Sequence, residues 1–188
     1  MRTQKQLVLY QSILDVLQES GCPFCRFLKE YQAARLQHHS EHDIHHLCNF
    51  HTWGLAAVQN ALTAAEVFIH LVDDPAKISS DASACDICME VTAEEDRRIR
   101  EFVGCINRAD VSDWLRGAPV LCIPHGIKLR HQVQPVVAAR IDTIIEHCRR
   151  QLTQELQSLR DKPEADRPGW GSLGRAAEFL VSQRGLHS

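Results

Sequence analysis

Eight residues of this chain have the types and the spacing of metal ligands. Cys22-Pro23-Phe24-Cys25 and Cys85-Asp86-Ile87-Cys88 are Cys-x-x-Cys knuckles. Leu47-Cys48-Asn49-Phe50-His51 and Leu121-Cys122-Ile123-Pro124-His125 each carry Cys-x-x-His. Three thiolates and one imidazole complete a tetrahedral set for Zn²⁺. Taken in chain order, Cys22, Cys25, Cys48 and His51 form one Cys₃His site, and Cys85, Cys88, Cys122 and His125 form the second. Six of the eight cysteines are then used. Four protein ligands close the coordination sphere, whereas a catalytic zinc keeps one position open. The pattern therefore points to two structural zinc ions and to no catalytic residue. Two alternatives stand beside it. Reduced cysteines also pack as small apolar residues, and an iron–sulfur cluster accepts cysteine and histidine ligands, because sequence does not identify the metal.

The composition suits a chain built on such sites. Its 188 residues are 44% apolar and 24% charged, with 16 Gly and Pro positions, which is ordinary globular usage. A net charge of −3 excludes the basic surplus of a nucleic-acid footprint. The opening Met1-Arg2-Thr3-Gln4-Lys5-Gln6 lacks the apolar core of a signal peptide. No apolar stretch approaches the roughly 18 residues of a membrane span. A cytoplasmic protein is expected, and in a reducing compartment clustered cysteines serve metals rather than disulfides.

The elements that position these ligands read as helices. Leu7, Tyr10, Leu14 and Leu17 predict an amphipathic helix over 4–19, closed by Ser20-Gly21. Phe27, Leu28, Tyr31 and Leu36 predict a second helix from Phe24 to about His46. After the first Cys-x-x-His, Leu55, Val58, Leu62, Ala65, Ile69 and Val72 step by three and four, a seam suited to a neighbouring helix. Asp74-Pro75 stops it.

Residues 75–84 are small and polar and read as a joint. Beyond it, Val91, Ile99, Phe102 and Ile106 mark a helix, Val111 to Leu115 a short one, and 126–132 another. Pro135 opens a long helix carrying Val137, Ile141, Ile144, Ile145, Cys148, Leu152, Leu156 and Leu159. Pro163 to Gly169 cannot be helix interior, and a last helix over 173–183 carries Ala176, Ala177, Leu180 and Val181, with Trp170 before it. The expectation is an all-α bundle of two diverged repeats, each clamped by one Cys₃His site. The repeats are 1–74 and 85–162, joined by 75–84 and followed by a Pro-containing linker and C-terminal helix over 163–188. Twenty-two residues separate Cys25 from Cys48 and 33 separate Cys88 from Cys122, so the second copy carries an insertion.

The duplicated Cys-Pro-x-Cys and Leu-Cys-x-x-His motifs resemble those of an uncharacterised family of bacterial helical proteins, whose members end in a Trp-x-x-Ala-like helix. Trp170 and Arg175-Ala176-Ala177 look like that ending. The resemblance implies a bacterial origin, a duplication, and metal ligation by the same eight residues, and it implies no activity. Asp86 stands where that family usually has proline.

Other chemistry-bearing residues are fewer. His38, His42 and His45 or His46 share a helical face at spacings that suit a transition metal; the competing reading is a solvated histidine-rich turn. Cys148 falls on an apolar helix face and reads as a buried structural thiol, as does Cys105. A thioredoxin-like motif needs a strand before its Cys-x-x-Cys, and none is expected. Arg26 and Met89 follow the knuckles, so neither is a haem attachment site. The function expected is a non-enzymatic interaction or scaffold module that binds a partner protein or itself. The alternative is a redox- or metal-responsive protein using one site as a thiolate switch, and an enzyme is the weakest of the three.

Overall fold

The computed structural model describes residues 17, 21–38, 46–58, 61–79, 84–117, 120–161 and 171–181. The expected helix over 4–19 (apart from helical Leu17), the histidines at 39–45, Trp170 and the linker 163–169 lie outside them. Eight α-helices are seen among the described residues: α1 Pro23–His38, α2 Asn49–Val58, α3 Ala61–Asp73, α4 Asp86–Cys105, α5 Ala109–Arg116, α6 Ile123–Arg130, α7 Pro135–Asp161 and α8 Gly171–Val181. The all-α expectation holds. One parallel pair of two-residue strands adds to it, β1 Leu47–Cys48 against β2 Ile78–Ser79. Residue contacts divide the chain into two units, residues 1–26 with 98–187, and residues 27–97. These boundaries fall inside α1 and α4, not in the stretch 75–84.

In the unit of residues 27–97, Leu28, Leu36, Leu47, Leu55, Val67, Leu71, Ile87 and Val91 are buried. Arg35 and Glu90 form a two-pronged ion pair at 2.5 and 2.7 Å. Both side chains are about one-third exposed, so the pair fixes geometry more than it stabilises, contributing roughly 0–1 kcal/mol.

The seam expected from Leu55 to Val72 is corrected here. Leu55 is buried, but Leu62, Ile69 and Val72 are 80%, 63% and 74% exposed. Val67 and Leu71 face inward instead. At about 100° per residue, the three exposed side chains point roughly 100–180° away from Val67 and Leu71. The sequence Ala-Leu-Thr-Ala-Ala-Glu-Val-Phe-Ile-His-Leu-Val-Asp is apolar nearly all round, so its period fits two faces and packing selects one. Leu71→Ala is expected to cost about 2–5 kcal/mol, and Leu62→Ala to stay within about 0.5 kcal/mol. Denaturant unfolding of the metal-loaded variants measures both; equal costs would restore the seam.

In the other unit, Phe24, Ile99, Phe102, Ile106, Val111, Leu115, Leu121, Leu129, Ile141, Ile144 and Phe179 make the core. Helices α6, α7 and α8 pack on one another. Gly126 lets α6 approach α7 closely: a Cβ there would lie 2.5 Å from Ile145 Cδ1. Arg140 donates from Nε to the Leu115 carbonyl at 3.2 Å and from Nη2 to that of Arg116 at 3.0 Å, placing a cation at the negative end of α5. On α8 the inward side chain is Phe179, while Leu180 and Val181 are more than half exposed. The expected apolar face of that helix is thereby rotated.

Candidate metal centres

The eight expected ligands gather into two groups of four. Cys22, Cys25, Cys122 and His125 form one, and Cys48, His51, Cys85 and Cys88 the other. Within each group one ligand atom per residue lies within 4.8 Å of the other three. The residues are the expected ones but their pairing is not. Each knuckle meets the Cys-x-x-His of the opposite half, so the sets Cys22/Cys25/Cys48/His51 and Cys85/Cys88/Cys122/His125 are corrected.

Helix length explains the crossing. Each knuckle sits at the start of a helix, α1 of 16 residues or α4 of 20. Helices of those lengths extend about 24 and 30 Å, so the chain is carried far from a knuckle before its next Cys-x-x-His begins. The contacts agree with this. Arg35, late in α1, pairs with Glu90, just after the second knuckle. Phe24, at the start of α1, packs edge-on to Phe102, late in α4, at 5.4 Å.

Both centres sit at helix N-termini. Pro23 opens α1 directly after Cys22, a position where proline's missing N–H costs nothing. Gly21 precedes it with φ +92°, a left-handed turn that a side chain would strain. Cys122 caps α6, with Pro124 in its first turn. Cys85 precedes α4, and Cys48 precedes α2. Free N–H groups and the positive helix end favour thiolates at all four places.

In the first centre the Cys25 and Cys122 sulfurs are 3.5 Å apart. His125 Nδ1 lies 2.9 Å from Cys122 Sγ, 3.3 Å from Cys25 Sγ and 3.6 Å from Cys22 Sγ. In the second, Cys48 and Cys88 sulfurs are 3.8 Å apart. His51 Nδ1 is 3.3 Å from Cys48 and Cys85 and 3.4 Å from Cys88. A tetrahedron of 2.3 Å zinc–sulfur bonds has edges of about 3.8 Å, so these separations suit one ion at each centre. No disulfide forms among the cysteines.

Thiols this crowded share protons. Hydrogen bonds with the Cys122 and Cys22 sulfurs hold Cys25 well below the ordinary thiol range. Hydrogen bonding to Cys22 and Cys25, then burial, pushes Cys122 up. In the second centre burial first, and the Cys85 and Cys48 charges next, push Cys88 up; burial raises Cys85 too. A divalent cation held there would replace those protons and offset two of the three thiolate charges.

Neighbouring residues hold the ligands in place. Phe24 stacks on the His125 ring at 5.4 Å and meets Phe102, which meets Trp114 at 5.7 Å. In the second centre Asp86 accepts the His46 N–H at Oδ2 (2.9 Å) and donates its own N–H to the His46 carbonyl (3.1 Å). Proline at position 86 has no N–H to donate, so aspartate there ties the knuckle to the strand that leads into Cys48. The sequence named Asp86 and Phe24 only as knuckle positions, because their partners are distant in the chain. Of the histidine-rich stretch, His38 and His46 are exposed and belong to neither group.

No family model, curated protein or solved structure matches the chain.

Proposed function

We propose that this is a non-enzymatic interaction module whose two Cys₃His centres each hold a structural zinc ion. The observation that carries it is closure: every centre supplies four protein ligand atoms, leaving no position for a substrate or an activated water. When bound, zinc supplies a cross-link between two helix N-termini at each centre. The chain's own residues supply the rest. Phe24 and Asp86 orient the ligands, and burial of Cys25, Cys48, Cys85, His51, Cys122 and His125 shields them from solvent.

The interaction role draws support from α3. Leu62, Ile69 and Val72, spaced by seven and three, present an apolar stripe outward, and Trp53 on α2 is 73% exposed. Such spacing suits a helix of a partner protein or of a second copy. No helix among the described residues is long and apolar enough to cross a membrane. The proposed setting is the cytoplasm of a bacterium, with the two halves arising by duplication.

Sizing with light scattering, together with affinity capture, tests the role. The zinc-loaded chain is expected to run above its 21.3 kDa monomer mass or to retain a protein partner. A Leu62→Glu/Ile69→Glu variant should lose that association and keep its zinc. A strictly monomeric, partnerless chain would count against the proposal.

A further inference from the structure

The centre formed by Cys22, Cys25, Cys122 and His125 differs from the other in what lies beside it. A cavity of about 410 Å³ is lined by Cys22, Cys25 and Cys122, and also by Cys148. Val120, Leu152 and Phe179 give it an apolar wall, and Arg175 and Glu155, paired at 2.5 Å, stand at the same cavity. A volume of that order admits a small organic molecule. Cys148 is buried and reduced. Cys22 lines the same cavity as Cys148, so a small molecule held there meets both residues. The residues 27–97 contain only Cys48, Cys85 and Cys88; the second centre has no spare thiol in its unit.

We infer that the first centre is a site of reversible oxidation by hydroperoxides, in which Cys148 captures the oxidised Cys22 as a disulfide. The inference rests on the zinc reading given above. The Cys22 thiolate attacks the distal oxygen of the hydroperoxide, breaking the O–O bond; sulfenic acid forms and the alkoxide leaves, taking a proton from water. The Cys148 sulfur then bonds to the Cys22 sulfur, and the sulfenic oxygen departs as water with the Cys148 proton. Two electrons pass from the two sulfurs to the peroxide. The centre loses one of its four ligands, so its zinc is held less tightly. A thiol reductant returns both cysteines and restores the set.

The test oxidises the zinc-loaded full chain with tert-butyl hydroperoxide in the presence of a chromogenic zinc chelator, followed by peptide mass mapping. The expected result is a Cys22–Cys148 disulfide, transfer of about one of the two zinc ions, and recovery of both changes with dithiothreitol and zinc. Cys148→Ala, with Cys148→Ser as a second variant, should still bind two zinc ions before oxidation. In both, the disulfide should be absent, and Cys22 should progress to sulfinic acid that reductant does not reverse. A two-zinc chain that forms only Cys22–Cys25 or Cys85–Cys88, with the Cys148 variants behaving like the parent, overturns this inference alone. A chain that binds no zinc overturns the zinc reading and this inference with it.

Discussion

Removing the metal with excess chelator should unfold most of this protein. A structural zinc contributes on the order of 10–16 kcal/mol of apparent binding energy coupled to folding. The net stability of a whole domain is only about 5–15 kcal/mol, so neither unit has enough in reserve. The unit of residues 27–97 is the more vulnerable, because among its described residues the buried apolar side chains other than cysteine are all aliphatic, with no buried Phe, Tyr or Trp. Crowding adds to the loss, since three thiols and an imidazole are left packed together without a cation. Circular dichroism is expected to lose the larger part of its helical signal on chelation and to regain it when zinc is returned. A chelated chain that keeps its full helical signal and melts at the same temperature would mean the clusters are ordinary packed thiols.

The second large effect tests which knuckle belongs to which histidine. Cys48→Ser removes one ligand from the group that also contains His51, Cys85 and Cys88. Zinc content is expected to fall by about one equivalent. Cys85 and Cys88 should then react quickly with a maleimide, although they lie far along the chain from the substitution. Cys22 and Cys25, the knuckle nearer to Cys48 in sequence, should stay protected by Cys122 and His125. Labelling of Cys22 and Cys25 in place of Cys85 and Cys88 would establish the within-half pairing instead.

The identity of the ligands was legible because their chemistry is local: a Cys-x-x-Cys turn and a Cys-x-x-His turn each present two ligand atoms from one helix start. The helices were legible for a similar reason, as Leu28 and Leu36, or Ile141, Ile144 and Cys148, repeat at helical spacing and are buried. Pairing was not legible, because separations of 22 and 33 residues permit either partner. The lengths of α1 and α4 decide it, each helix beginning at its knuckle and leading the chain away. The face of α3 was misread because its apolar residues surround the helix, and only the burial of Val67 and Leu71 distinguishes inside from outside. The Asp86 tie to His46 spans 40 residues and involves backbone groups, which carry no sequence signal. Phe179 escaped notice beside Leu180 and Val181, since one turn of an amphipathic helix does not fix its phase.

The most direct measurement is elemental analysis of protein expressed without added metal, paired with its absorption spectrum. Two zinc ions per chain, one for each four-ligand group, and a featureless visible region are the predicted result. Iron with sulfide and absorption near about 400 nm, as thiolate-bound clusters show, would contradict the zinc account and move the protein to electron transfer or sensing.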